Sequence, residues 1–345
     1  MQNNVLRISM WVLGVSALIG NAFVVIWRLS EKSGSSTQKV QTIIIGNLAM
    51  SDFIMGVYMI ILACADLYYG DEYFVYSDLW RSGIVCRIAG FLTLLSSEAS
   101  IFFITLISVD RFLCVIMPFS QVRLRPKSCR LAVSTIWIIC FLIALIPTLY
   151  ADSESDIYDL SDVCIGLPLI TRPAAYQIEQ SEIGSPLSSQ TFSLPVAQES
   201  KPAWYFSIVL FLGINLVCFL TICVCYVVMF IHVKSSRKRV QCTQKGDEDI
   251  KMAVKMAVIV GTDFVCWMPI IIMGILSQSG LVVIPLQMYT WSVVFIIPIN
   301  SSLNPYLYTI SHLSSKKPAQ NKNSSGSSKQ TSGATDETRN TSKSK

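Results

Sequence analysis

Residues 260–269 read VGTDFVCWMP and place one carboxylate, Asp263, in the middle of a stretch that otherwise suits lipid. The apolar block around this acid covers about residues 250–276. A transmembrane helix needs about 20 consecutive, mostly apolar residues, so the block is long enough to span a bilayer. Because an Asp near the centre of such a helix costs about 2.5–3.5 kcal/mol on insertion scales, we expect Asp263 to have a function of its own.

The rest of the chain repeats this apolar pattern. Its 345 residues are 52% hydrophobic and only 14% charged, whereas soluble domains carry about 25% charged residues. The apolar blocks are too long for strands. The sequence therefore predicts an all-α membrane protein, a seven-transmembrane helix bundle within residues 1–310. Its spans are expected at about residues 5–29, 39–64, 86–117, 130–150, 203–232, 250–276 and 282–309.

Charged residues in the loops predict the orientation of the bundle. The loops after the first, third and fifth blocks are rich in Lys and Arg, whereas those after the second and fourth are acidic. Loops with excess Lys and Arg face the cytoplasm, so we expect the N-terminus outside and the C-terminus inside. Residues 311–345 are rich in Ser, Lys, Asn and Thr and predict a disordered cytoplasmic tail. Since the basic residues flank spans, they do not indicate nucleic-acid binding.

Two of the eleven cysteines differ from the rest in their expected surroundings. Cys86 opens the third block and Cys164 lies in the long outer loop at about residues 151–202, so both should face the oxidising side. A disulfide that ties this loop to the bundle is the expected arrangement, and two free thiols are the alternative. The acidic loop itself contains a stretch whose composition predicts disorder.

Three carboxylates are expected near the middle of the membrane: Asp52, Glu98 and Asp263. No Lys or Arg lies at a matching depth, so each acid must be protonated, bind a cation or accept hydrogen bonds. The seventh block offers partners such as Asn300 and Asn304. Hydrogen bonds between membrane helices contribute about 0.6 kcal/mol on average, less than the insertion cost of an acid. A network that rearranges when the protein switches therefore explains the acids better than polar packing alone.

Arg111 is expected at the cytoplasmic end of the third span. It follows Cys86 by 25 residues, which corresponds to about 37 Å along a helix. It adjoins Asp110, and Asp249 opens the sixth block on the same face. A salt bridge from Arg111 to either acid would hold the two spans together in an idle state. An arginine extended to the interface and an acid at a helix N-terminus are the alternatives, and spacing does not decide between them.

The motifs together resemble those of the rhodopsin-like (class A) G-protein-coupled receptors over about residues 5–310. The receptor-like motifs occur in family order: GN at 20–21, NLAMSD ending at Asp52, DRF at 110–112, CWMP at 266–269 and NPYLY at 304–308. The acids in TDFVCW and SSEAS resemble the leucine-rich-repeat hormone receptor branch. LWRSGIVCRIAGFLTLLSSEAS and INSSLNPYLYT are similar to the relaxin-receptor group. Receptors of this branch carry a leucine-rich ectodomain, and this sequence shows no such repeats, so the resemblance covers the transmembrane portion.

The resemblance implies roles for individual residues. Asp52, Ser100 and Asn304 match positions that hold a sodium ion in many relatives, and no other cofactor is implied. Arg111 matches the arginine that meets the G protein once it is released from Asp110 and Asp249. Asp263 would hydrogen-bond Asn300 and Asn304 in the inactive state. The implied activation switch comprises Glu98, Tyr226, Asp263, Trp267, Pro269, Asn300, Asn304, Pro305 and Tyr308.

The implied function is transduction of an extracellular, relaxin-like peptide or protein signal across the plasma membrane to heterotrimeric G proteins. Arrestin and receptor kinases would act on the Ser/Thr-rich tail. The sequence does not predict an enzyme, because its two histidines, His232 and His312, lie at inner helix ends without zinc-ligand spacing. The alternatives are a truncated, non-signalling or dominant-negative receptor and, more distantly, an ion-coupled transporter or channel, although no internal repeat is visible.

Overall fold

The structure is a computed structural model. It describes residues 4–31, 34–117, 123–150, 163–165, 204–236, 257, 260–262, 264–273, 275–276 and 286–315. Within these ranges all regular secondary structure is helical, which agrees with the all-α prediction. Asp249, Asp263 and most of the loop at 151–202 lie outside the described residues.

The first half of the chain forms five helices joined by short connections. They are α1 (Asn4–Ser30), α2 (Ser36–Tyr69), α3 (Tyr73–Ser82), α4 (Ile84–Ile116) and α5 (Pro126–Tyr150), with a single 3₁₀ turn at Gly70–Glu72 between α2 and α3.

The second half interrupts its α-helices with π-helical turns. The helix α6 (Trp204–Ile208) continues through the π turn Val209–Asn215 into α7 (Leu216–Ser236). A shorter apolar helix, α8, covers Val260–Met273. The helix α9 (Leu286–Trp291) continues through the π turn Ser292–Ile296 into α10 (Ile297–Ser315).

Five helices of the described residues are long and apolar enough to cross a membrane. They correspond to the first five predicted spans. The helix α8 lies within the sixth predicted span, and α9 to α10 begins within the seventh and extends past its predicted end at residue 309, to Ser315. A helical membrane fold is therefore confirmed. The count of seven spans and the orientation of the termini stay predictions.

Helix ends differ from the predicted span ends because hydropathy reports contact with lipid, whereas backbone hydrogen bonding decides where a helix ends. The helix α2 begins at Ser36, before the apolar block at 39–64. Its N-cap residue Ser35 accepts a hydrogen bond from the Gln38 backbone, and the Gln38 side chain accepts one from the Ser35 backbone. This reciprocal capping starts the helix within polar residues. The short helix α3 was not predicted, since it lies between spans.

The helix α2 is the centre of the packing, with contacts to α1, α4, α5 and α10. Small residues let helices approach closely, as membrane bundles require. A side chain at Gly56 would meet the Leu18 backbone of α1, with 2.8 Å from its Cβ to the Leu18 nitrogen. A side chain at Gly20 would meet Pro305 of α10 at 2.8 Å. The first, second and last spans therefore pack around glycines.

The distribution of side chains is that of a membrane protein. Large apolar residues are exposed along the outer faces of α1, α5 and α7, among them Ile19, Leu131 and Phe230. Asn21, Asp52, Glu98 and other polar residues are buried inside. A soluble bundle has the opposite arrangement, because its apolar residues must avoid water.

Candidate functional site

Asp52 lies fully buried on α2 and joins that helix to α10. The Asn304 side-chain nitrogen donates a hydrogen bond to Asp52 Oδ2 at 2.8 Å. The two residues are 252 positions apart in sequence, so this bond closes the bundle between its second and last spans. The structure thus brings together two of the three residues that the resemblance assigned to a sodium site.

Ser100, the third residue of this set, is buried on α4. One turn earlier on α4, the Ser96 hydroxyl donates to the backbone oxygen of Ser51 at 2.7 Å, and Ser51 precedes Asp52. Each residue of this set has one buried oxygen without a hydrogen-bond partner among the described residues, namely Asp52 Oδ1, Ser100 Oγ and Asn304 Oδ1. A carboxylate, a hydroxyl and an amide oxygen are hard ligands of the kind that alkali and alkaline-earth cations prefer. The residues present therefore fit a sodium ion.

Glu98 forms a second polar contact, on α4. The Asn215 side-chain nitrogen donates to Glu98 Oε1 at 3.1 Å, and both residues are buried. Glu98 Oε2 and Asn215 Oδ1 have no hydrogen-bond partner within the ranges that the structure describes. Asn215 is the last residue of the π turn Val209–Asn215, a type of irregularity that is frequent at functional sites. The sequence analysis missed Asn215, although it is the only asparagine in the block at 203–232.

Polar side chains of α10 also bind α1. The Asn21 amide nitrogen donates to the backbone oxygen of Ser301 at 2.9 Å, and the Ser302 hydroxyl donates to that of Leu13 at 2.9 Å. Asn300 is buried, and its amide oxygen has no partner among the described residues. Pro305 is buried against Gly20. These contacts hold the N-terminal half of α10 against the first span.

Aromatic residues of α8 pack against an aromatic residue of α7. Trp267 is buried, and its ring centroid lies 6.4 Å from that of Phe219. Phe264 meets the same ring edge-on at 6.0 Å. Pro269, also assigned to the switch, is exposed on α8. The positions of Trp267 and Phe264 mean that a shift of α8 must displace the Phe219 contact.

At the predicted cytoplasmic end, Arg111 is almost completely buried on α4. It forms a salt bridge with Asp110, in which Arg111 Nε donates to Asp110 Oδ2 at 3.1 Å. Gln41 of α2 is the second partner. With its amide oriented so that both atoms have suitable partners, the Gln41 oxygen accepts from Arg111 Nη2 at 3.1 Å. Sequence reasoning missed Gln41, because a polar residue at the end of a span is also expected at an interface.

Two tyrosines of the predicted switch lie on the helices that flank this end. Tyr226 of α7 is half-buried and packs with the small apolar cluster of Val115, Cys225 and Met229. Tyr308 lies within the helix α10. The structure therefore places Tyr226 beside the C-terminal end of α4, one turn beyond Arg111.

At the opposite end, a disulfide joins Cys86 to Cys164 with 5.2 Å between the two Cα atoms. Cys164 has a φ of 51°, which is rare for a residue other than glycine. The Tyr58 hydroxyl donates to the backbone oxygen of the neighbouring Val163 at 2.8 Å, and Val163, Cys164 and Ile165 are buried. This segment of the outer loop is thus fixed over the bundle by one covalent bond and one hydrogen bond.

Comparison with known proteins places these features in a family context. Residues 20–308 match the family model of the 7 transmembrane receptor (rhodopsin family). The chain is 36% identical over 311 residues to G-protein coupled receptor GRL101 of Lymnaea stagnalis, which is 90% of this chain and 25% of that protein. It is 32% identical over 309 residues to relaxin receptor 2 of Homo sapiens, which is 89% of this chain and 37% of the relative. Relaxin receptor 1 of Mus musculus is 33% identical over 307 residues, with coverages of 88% and 36%.

Proposed function

Because the chain belongs to the rhodopsin family of seven-transmembrane receptors, we propose that it transduces an extracellular peptide or protein hormone signal to heterotrimeric G proteins. The resemblance to relaxin receptors seen in its motifs is confirmed, and its relatives are receptors rather than enzymes. Family membership and the apolar helices identify a multi-pass plasma membrane protein. The names of the mammalian relatives suggest a relaxin-like hormone as the ligand. The chain spans only 25% to 37% of the length of the three relatives described above.

The buried Arg111 is the observation that carries this proposal. Its guanidinium is held by Asp110 on its own helix and by Gln41 on α2, at the end of the bundle predicted to face the cytoplasm. A charge that is buried in this way, with Asp110 and Gln41 among its partners, is shielded from contact with another protein in this form of the receptor. We expect agonist to favour a form in which the inner end of α8 moves outward and exposes Arg111 to the G protein.

The buried hydrogen bonds of Asp52 and Glu98 would couple the outer half of the bundle to this movement. Asp52 and Glu98 each bond one asparagine and keep one oxygen without a partner among the described residues. Each can therefore accept a new bond before the old one breaks, which lowers the barrier between two arrangements. The Asn300 amide oxygen has no partner among the described residues, so it could accept a hydrogen bond from the protonated carboxyl group of Asp263, and we propose this pair for the inactive state.

A sodium ion is proposed at Asp52, Ser100 and Asn304. When bound, it would supply a positive charge that stabilises the buried carboxylate. The chain itself contributes the three oxygens and the bond from Asn304 that orients Asp52. Arrestin and receptor kinases are further proposed partners, because phosphates on the Ser/Thr-rich tail at 311–345 would add negative charge that basic proteins recognise.

Basal signalling of an Arg111→Ala variant tests the function without knowledge of the hormone. The full chain is expressed in cells, and dissociation of each class of heterotrimeric G protein is measured at known surface density. We expect one G-protein class to respond to the wild type and the response to fall to background in Arg111→Ala. Arg87→Ala removes the same charge from the outer end of α4 and should signal like the wild type. A response above background that Arg111→Ala leaves unchanged would contradict the proposed coupling. If even the wild type fails to exceed untransfected cells, the non-signalling alternative is favoured.

A further inference from the structure

A cavity of about 1040 Å³ lies between the first turns of α2 and α5, at the end of the bundle that we predict to be cytoplasmic. We refer to it as the α2–α5 cavity. Its described lining comes from Glu31, from the first two turns of α2, and from the start of α5 with the preceding Arg125. None of the residues assigned above to the switch, the sodium site or the G-protein contact lines it. It is therefore a separate feature of the molecule.

The lining of the α2–α5 cavity is strongly basic. Lys39, Arg125, Lys127 and Arg130 surround it, and none of these four has a carboxylate partner among the described residues. Glu31 is the one acid in the described lining, and it is already occupied. It accepts a hydrogen bond from Arg28 at 3.0 Å and one from the Thr42 hydroxyl at 3.4 Å. Four cations that surround one carboxylate already paired with Arg28 create a local field that attracts an anion with several charges.

Hydroxyl groups and backbone geometry support an anion further. Ser36 and Ser128 line the cavity and offer hydroxyl donors. The helix α2 begins at Ser36 and α5 begins at Pro126, so both helices direct their N-termini to this region. The positive ends of two helix dipoles add to the charge of the four side chains.

The surface beside the cavity indicates whether the anion it would bind is part of a lipid or a soluble compound. Lys127 and Leu131 are one turn apart on α5, and Leu131, Ile138 and Phe141 continue along the same face. These three apolar residues are 70%, 60% and 49% exposed. A molecule held by the basic side chains would thus lie at the foot of an apolar, outward-facing stripe. A headgroup with attached acyl chains satisfies both features, whereas a free phosphate compound satisfies only the first.

We propose that the α2–α5 cavity binds the headgroup of a polyphosphorylated anionic lipid, a phosphoinositide of the inner leaflet. A headgroup with several phosphates matches the number of unpaired cations better than a lipid with a single net charge does. Basic pockets between membrane helices on the cytoplasmic side are recurrent sites for such headgroups. The lipid reaches the cavity only if the basic loops face the cytoplasm, and its binding does not require G-protein coupling.

Binding is measured with the purified full chain in nanodiscs of phosphatidylcholine that contain a fluorescent phosphatidylinositol bisphosphate. The test variant carries Lys39→Gln, Arg125→Gln, Lys127→Gln and Arg130→Gln. The matched control carries Lys234→Gln, Arg237→Gln, Lys238→Gln and Arg239→Gln, which removes the same charge from the next basic loop. We expect binding by the test variant to be at least about 10-fold weaker than that of the control. If the fourfold variant folds poorly, Lys127→Gln with Arg130→Gln replaces it, with an expected loss of about 3-fold.

Two further binding measurements distinguish a phosphoinositide from another anionic lipid and from a soluble inositol phosphate. Nanodiscs with phosphatidylserine at equal total charge should bind more weakly than those with phosphatidylinositol bisphosphate. Soluble inositol trisphosphate, added to nanodiscs of phosphatidylcholine alone, should bind more weakly than the lipid does. Equal losses of lipid binding in the test and control variants would overturn the site, because any four basic residues at this end of the bundle would then account for the binding. Equal binding of phosphatidylserine, or of soluble inositol trisphosphate, would overturn its assignment to a phosphoinositide lipid.

Discussion

Asp52 and Glu98 carry carboxylates into the interior of the bundle, and each meets an asparagine on another helix. Asn304 and Asn215 supply these bonds, at 2.8 Å and 3.1 Å. The second oxygen of each acid lacks a hydrogen-bond partner among the described residues. An unsatisfied buried polar group costs about 1–3 kcal/mol, so such an arrangement is poor as simple glue. It suits a network in which each acid can accept a different partner in a second state.

The acids were predictable from sequence, but their partners were only partly so. A carboxylate inside an apolar block is conspicuous, and Asn304 lies in a block rich in polar residues. Asn215 and Gln41 were missed for a physical reason. A membrane helix is apolar nearly all round, so periodicity does not show which of its faces points inward. Whether Asn215 meets Glu98 depends on the rotation of its helix, which only the structure gives.

Gln41 allows a test at the level of one residue. Its amide oxygen accepts from Arg111 and should help hold that arginine inside the bundle. Gln41→Leu removes this acceptor, so we expect basal G-protein activation to rise about 5-fold, equivalent to about 1 kcal/mol for a single hydrogen bond. Gln41→Glu replaces the amide with a charged acceptor and should lower basal activation. Both are measured at equal surface density. A shift of both variants in the same direction, or of neither, would argue against a restraint by Gln41.

At the scale of elements, hydropathy predicted where the spans lie but not how each helix begins, ends or bends. The helix α2 extends into polar sequence because Ser35 and Gln38 cap it, and α3 forms between spans. The π turns at Val209–Asn215 and Ser292–Ile296 have no counterpart in the apolar pattern. A π turn differs from an α turn in its backbone hydrogen bonds and not in its apolar character, so hydropathy does not reveal it. The first π turn nevertheless matters, since it ends at the partner of Glu98.

The contact between α1 and α2 gives the prediction at this scale, with a matched control on the same helix. At Gly56 an added Cβ would lie 2.8 Å from the Leu18 nitrogen, whereas at Gly46 the nearest atom would be 3.8 Å away. Because backbone cannot yield like a flexible side chain, Gly56→Ala should destabilise the protein by about 1–3 kcal/mol. Gly46→Ala should be neutral or stabilising by up to about 1 kcal/mol, since alanine favours a helix.

Thermal unfolding of the solubilised full chain measures both glycine variants. A thiol-reactive dye reports when buried cysteines such as Cys114 and Cys140 become exposed. We expect the unfolding temperature of Gly56→Ala to lie below that of the wild type. The unfolding temperature of Gly46→Ala should equal or exceed the wild-type value. Equal unfolding temperatures for the two variants would contradict the close approach of α1 and α2 at Gly56.

At the scale of the whole molecule, the fold follows from one physical contrast. Apolar residues face outward along α1, α5 and α7, and polar residues gather inside. Length and hydropathy were enough to predict a helical membrane protein, and the order of its motifs was enough to predict its family. The ligand was not predictable, because apolar helices carry no signature of the molecule that a receptor binds. The positions of Asp249 and Asp263 lie outside the described residues and stay predictions.

We propose that an acid inside the membrane restrains the idle state through hydrogen bonds that can be exchanged. Basal G-protein activation by Asp263→Gly, at matched surface density, tests this most directly. Thr262→Gly is the control, because it weakens the same turn of helix and leaves the acid in place. We expect basal activation to rise about 5-fold in Asp263→Gly, because about 1 kcal/mol of restraint is lost, and not to rise in Thr262→Gly. Basal activation by Asp263→Gly equal to that of the wild type would contradict this proposal.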